Sequence, residues 1–167
     1  MPRTAALAAL CLAACACDRS PESAALGQGP EPFRLFNACR PMELAVDGLD
    51  DDAAIGLTKE ALQAAAESRM RAARLYTEDP AKSDSAYLHV EVRVVGPAFS
   101  IVVTYHKRVT DGFGRPGLAA TWRTGSGGTH GGDEGFVAQG LSGHLDRFLA
   151  ADLRVNGEAC EGPRAVW

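Results

Sequence analysis

The sequence predicts an α+β domain: a two-layer sandwich in which a three- to four-stranded, mainly antiparallel sheet carries two helices on one face. Three observations lead there. Several segments alternate apolar and polar residues with the strand period of two, and two segments repeat apolar residues with the helical period. The element order is strand, helix, strand, strand, strand, helix. Strands joined by short turns must pair antiparallel, and two amphipathic helices suffice to cover one sheet face.

The elements follow in order. Met42, Leu44 and Val46 alternate with Glu43, Ala45 and Asp47, a strand that ends at Gly48. Leu35 is an alternative start, with Pro41 as an interruption. A helix is expected from Leu57-Thr58 through Tyr76, with Thr58 as N-cap and Glu60 in the first turn. Leu88, Val90, Val92 and Val94 mark a strand over residues 87–95. Gly96-Pro97 is a turn, and Phe99, Ile101, Val103 and Tyr105 form the hairpin partner, which runs to about Val109. Residues 110–117 read as a Gly/Pro loop, followed by a strand through Leu118, Ala120 and Trp122. A last helix spans roughly Asp133 to Val155, with Val137, Leu141, Leu145, Phe148 and Leu149 on one stripe. The second sheet face carries Glu91, Arg93, His106 and Arg108 and is expected to be wet.

The 167 residues allow one domain, and the charge of −4, from 17 Lys+Arg and 21 Asp+Glu, lacks the basic excess a nucleic-acid partner requires. At the N-terminus, Arg3 precedes an apolar run over residues 5–14. That is a secretory leader, too short for the roughly 20 residues of a membrane helix. It ends in Leu12-Ala13-Ala14-Cys15. This resembles the lipobox of bacterial lipoproteins: an aliphatic residue, two small residues and the cysteine whose thiol takes the diacylglycerol. The resemblance covers about 15 residues and implies cleavage after residue 14, a triacylated Cys15 and anchoring by several acyl chains, where one chain would be marginal. By resemblance to Gram-negative lipoproteins, Ala16 rather than Asp after Cys15 implies an outer-membrane anchor facing the periplasm, over inner-membrane retention. Ala14-Cys15-Ala16 equally fits the small-x-small site of an ordinary cleaved leader. The organisation expected is leader 1–14, lipidated cysteine and Pro/Ser/Gly-rich tether 15–32, domain 33–160 and tail 161–167. Such a tether spans on the order of 20–25 Å as a coil.

The cysteines are Cys11, Cys15, Cys17, Cys39 and Cys160. In an oxidising compartment Cys39 and Cys160, which flank the domain, are expected to form a disulfide; the alternative is two separate buried thiols. Cys17 is left over, either free or available to a partner. No Cys-x-x-Cys pair exists, so no cysteine metal site is expected.

The candidate sites are few. Gly125-Ser126-Gly127-Gly128-Thr129-His130-Gly131-Gly132 lies between strand and helix, where phosphate loops lie. It has no following Lys, and Asp133 and Glu134 would repel an anion. It reads as a flexible connector or a partner loop. His130, Asp133 and Glu134 are the candidates for a divalent cation, although acidic loops commonly place such donors together. His89 and His106 have no sequence-local carboxylate or nucleophile that forms a triad; Glu91 shares the face of His89, which alternating charges on a solvated sheet face explain as well. His144, on the flank of the last helix's stripe, reads as a satisfied, half-buried histidine. Arg69 falls among Leu62, Ala65, Ala66, Ala73 and Tyr76, and Asp152 falls within the apolar stripe of the last helix. A buried ion pair between them is expected, with snorkelling of Arg69 to the rim, or a clamp on a ligand carboxylate, as alternatives.

The element order is similar to that of small uncharacterised α/β domains of envelope lipoproteins, and this likeness carries over no functional residue. Together the features imply a lipid-anchored envelope protein that binds or scaffolds without catalysis. It would need no cofactor, would contact the membrane through its lipid, and would have an envelope protein as partner. The alternative is a small periplasmic hydrolase or metal-dependent enzyme built on residues 125–134. A third reading is a stabiliser of an envelope complex, with Cys17 or the tail at Trp167 as the contact.

Overall fold

The computed structural model describes residues 31–49 and 56–161. The leader 1–14, Cys15, Cys17, most of the tether and the tail beyond Glu161 lie outside the described residues. The elements are α1 (Glu31–Leu35), β1 (Glu43–Asp47), α2 (Lys59–Ala72), α3 (Pro80–Ser83), β2 (Tyr87–Val95), β3 (Ala98–Thr110), β4 (Pro116–Thr129) and α4 (Glu134–Glu161). The sheet order is β1-β2-β3-β4. The fold is the expected α+β sandwich with four strands. The β1–β2 pair is parallel and the other two are antiparallel.

Alternation builds the core. Leu88, Val90 and Val92 of β2 stand opposite Tyr105, Val103 and Ile101 of β3, and all six are buried. Leu62, Ala66 and Met70 of α2 and Val137, Leu141, Leu145 and Phe148 of α4 close over that face. Fully burying each large side chain is worth roughly 1.5–3 kcal/mol. At Gly140 the packing is close: a Cβ there would lie 2.9 Å from Ile101 Cδ1 and would push that terminal methyl aside. At the β2–β3 turn, Gly96 (φ 56°) followed by Pro97 is the combination a type II′ turn requires.

Several boundaries differ from the sequence reading. The helix expected through Tyr76 stops at a Schellman motif. The Leu75 N–H donates to Met70 O at 2.9 Å, the Arg74 N–H donates to Arg71 O at 2.9 Å, and Met70 packs beneath Leu75 in the core. Arg74 (φ 60°) takes the position glycine usually marks, so no residue signals this end. Residues 31–32, read as tether, open α1, and the short α3 was not anticipated. The glycines expected to form a connector at 125–129 continue β4, paired from Gly125↔Val102 to Thr129↔Ala98.

The expected Arg69–Asp152 pair does not form. Met70, not Arg69, completes the inward row spaced by four from Leu62. Arg69 is turned about 100° away and reaches Asp146 at the rim of α4, 2.9 Å away. With its side chain 38% exposed, this is a surface pair of small value. Asp152, 1% exposed, instead accepts from Asn156 Nδ2 at 3.0 Å.

The two chain ends are pinned together. Cys39 and Cys160 form a disulfide across a sequence separation of 121. Beside it, fully buried Asn156 donates from Nδ2 to Leu35 O (3.2 Å) and accepts from the Asn37 N–H (2.9 Å). At the other edge, the register shift at Tyr105/His106 leaves Thr121 unpaired, because Tyr105 faces Trp122 and His106 faces Ala120. The freed Thr121 binds α1: its hydroxyl donates to Arg34 O at 2.6 Å, and Arg34 Nε donates to Thr121 O at 3.0 Å. The short helix thereby covers part of an open strand edge.

Two measurements test this arrangement. Burial raises the Asp152 carboxyl from 3.8 to about 7, with the Asn156 hydrogen bond opposing. The protonated form is favoured by folding, so this stability is complete below pH 3.8 and is lost as pH rises through about 7. Denaturant melts should show Asp152→Asn removing that decline and gaining a few kcal/mol at pH 8. Reducing the disulfide should cost roughly 3–5 kcal/mol, read as a lower midpoint in the same melts.

Candidate functional site

The described residues offer three groupings with chemical capacity. The first is a cleft of about 290 Å³ at the end of the sheet where β1 and β2 begin and β3 ends. The loop after α1 supplies Asn37 and Arg40, the turn after α3 supplies Asp84, and β3 supplies Tyr105, Lys107 and Arg108. Lys107 Nζ donates to Phe33 O and Phe36 O, so it caps the carbonyl end of α1, and burial lowers its pKa. Arg40 pairs with Asp84 at 3.2 Å, and Arg108 reaches Ser85 Oγ at 3.4 Å. Tyr105 is fully buried, and among the described residues its hydroxyl donates to no acceptor, with the Asn37 side chain beside its oxygen. Burial pushes that hydroxyl far up; the Asn37 side chain, donating toward the phenol oxygen, opposes this, and Asp152 and then Asp84 add smaller upward pushes. It remains a neutral donor at any physiological pH.

The cleft's rim is strained. Ala38 (φ 55°) and Cys39 (φ 58°) are consecutive left-handed residues on one side, and Asp84 (φ 50°) and Ser85 (φ 64°) on the other. None is glycine, so each costs on the order of 1 kcal/mol or more and must be held by its surroundings. The Asn37 side chain holds the first pair by accepting from the Cys39 N–H at 2.9 Å, and the disulfide fixes Cys39 itself. The Ala86 N–H bond to Ser83 O, 2.9 Å, closes the second turn.

The second grouping is the outer face of the sheet. Parallel pairing sets Ala45 beside His89, which brings Asp47 Oδ2 to 3.0 Å from His89 Nε2. The hydrogen bond from His89, with Lys59 adding charge, holds Asp47 below the usual carboxylate range. His106 stacks on Tyr87 with centroids 4.4 Å apart, and burial followed by His89 lowers its pKa. Sequence reasoning saw only Glu91 on the face of His89 and missed Asp47, because Asp47 lies 42 residues away and only the strand register unites them.

The third grouping joins β4 to α4. His144, 4% exposed, has Thr124 Oγ1 3.2 Å from Nδ1 and Ser126 Oγ 2.8 Å from Nε2. It is buried and hydrogen-bonded, as expected, but its two hydroxyl partners were not foreseen. A serine within reach of an imidazole is the geometry of an activated nucleophile. Here a threonine, not a carboxylate, faces Nδ1, so nothing stabilises an imidazolium. Burial, and then Arg147, lower the His144 pKa and keep the ring neutral.

The cation candidates take structural roles. The Gly132 N–H donates to His130 Nδ1 at 3.0 Å, so the ring proton sits on Nε2, which donates to Gly96 O at 2.8 Å. Neither ring nitrogen is left for an ion. Asp133 Oδ1 accepts from the Gly135 N–H at 2.8 Å at the start of α4, and of Glu134 only the backbone is described. Among the described residues no group of three or more His, Cys, Asp or Glu side chains is placed to hold a metal. The 125–132 segment provides no phosphate loop either, because its first five residues are strand.

No family model, curated protein or solved structure matches the chain. The site's chemistry therefore stands on its own geometry.

His144 gives a test opposite in sign to that of Asp152. A histidine whose folded pKa lies below 6.5 contributes stability above 6.5 that is lost as pH falls through the folded value. His144→Gln should abolish that acid-side loss in thermal melts and cost about 1–3 kcal/mol near pH 7.5, through two poorly satisfied hydroxyls.

Proposed function

We propose that this chain is a lipid-anchored protein of the cell envelope, joined to the membrane through Cys15, whose domain binds or scaffolds another molecule without catalysis. The observation that carries this reading is the Cys39–Cys160 disulfide. Such bonds persist in oxidising compartments and are rare where thiols are kept reduced. Export is what the apolar run 5–14 predicts, and Leu12-Ala13-Ala14-Cys15 supplies the acylation pattern. The Ala16 that follows favours an outer-membrane anchor facing the periplasm. Among the described residues no helix is long and apolar enough to cross a membrane, so stable attachment of this domain would rest on the lipid. The domain offers a partner or ligand the cleft at Tyr105.

A hydrolase built on residues 125–134 is the competing reading, and the 2.8 Å approach of Ser126 Oγ to His144 Nε2 favours it. A binding protein leaves Ser126 unreactive to a fluorophosphonate, whereas covalent labelling of Ser126 would establish the hydrolase.

The anchoring test is membrane fractionation with mass analysis of the N-terminal peptide, in wild type and Cys15→Ala. Wild type should sediment with membrane and begin at Cys15 bearing acyl mass, and the variant should lack that mass. A wild-type N-terminus free of acyl groups would overturn the anchor.

A further inference from the structure

The cleft at the sheet's end is polarised against the rest of the molecule. Three cations and one carboxylate line it, a formal charge of +2, in a chain whose net charge is −4. Its most buried polar atom is the Tyr105 hydroxyl, whose proton has no acceptor among the described residues. Leaving such a group unsatisfied destabilises the fold, and phenylalanine would fill the same space without that cost. Strained backbone on both sides of the opening points the same way, since strain of this kind gathers where a fold is held ready for a ligand.

We propose that this cleft binds a small oxyanion, a carboxylate or phosphate group, which lies within the field of Arg108, Arg40 and Lys107 and, by parting the lining, accepts a hydrogen bond from Tyr105 Oη, an atom sealed from water in the unliganded fold. A neutral phenol donates to an oxyanion and accepts poorly, so the orphaned hydroxyl calls for an acceptor. The surrounding cations select a charged one. The cations divide the work. Lys107 is held by the carbonyls of α1 and contributes fixed charge. Among the described residues Arg108 makes only the long contact with Ser85, and it is able to swing onto the anion. Arg40 is engaged by Asp84, whose carboxylate limits how much negative charge the cleft tolerates. The volume, about 290 Å³, sits at the small end of ligand pockets. The inference deepens the binding reading above and is independent of the lipid, which fractionation tests separately.

The test is an NMR titration of the full chain in detergent micelles, with inorganic phosphate and with acetate as probes, on wild type and Tyr105→Phe. Wild type should show saturable shifts at the amides of residues 37–40 and 84–86. Whichever probe binds more tightly identifies the anion as phosphate or carboxylate. Tyr105→Phe should weaken binding roughly tenfold or more, because a hydrogen bond to a charged group is lost. Its thermal midpoint should stay the same or rise. Equal binding by the variant, or no saturable shift at these amides with either probe, would overturn the proposal. A fall in the variant's thermal midpoint would also overturn it, because the hydroxyl would then be serving the fold.

Discussion

The geometry of this domain depends on the pin between the end of α4 and the segment after α1. Asn156 donates to Leu35 O and accepts from the Asn37 N–H, while one turn further along Cys160 is bonded to Cys39. A five-residue helix has no stability of its own in water. It stays in place because α4 holds it from one side and the bulged Thr121 of β4 holds it from the other. Lys107 then closes its carbonyl end.

That pin also shapes the cleft. Asn37, fixed by Asn156, holds Cys39 through its own side chain, and so keeps two residues in the left-handed region where neither would settle unaided. The disulfide acts on the same point, constraining the unfolded chain and the native rim together. Asp152 belongs to the same cluster. It is buried because Asn156, its neighbour across one helical turn, is committed to α1. A carboxyl in that position is held largely uncharged, since burial opposes ionisation and a single amide donor only partly offsets it.

The polar groupings differ in what holds them. His130 and His144 are enclosed by hydrogen bonds that use both ring nitrogens. His89 and Asp47 meet on the open face, where water competes for both. At Tyr105 alone does full burial coincide with an unused donor among the described residues. An anion's chemistry matches that imbalance, and an apolar core residue would have avoided it.

Much of the sheet was legible because alternation with period two is a direct imprint of one buried face: Leu88, Val90 and Val92 are buried as their spacing requires. Local pattern was enough for the α+β class, the strands β1 to β3 and the first half of β4, the inward stripe of α4 and the two cysteines able to join. Tertiary structure decided the rest. The parallel register that brings Asp47 to His89, the bulge at Thr121, the rotation that sends Arg69 to Asp146 and the meeting of Asn37, Asp84 and Tyr105 are all contacts between distant segments. Local periodicity cannot encode them, because each depends on how two elements slide and turn against each other, and that is fixed only when the shared core closes.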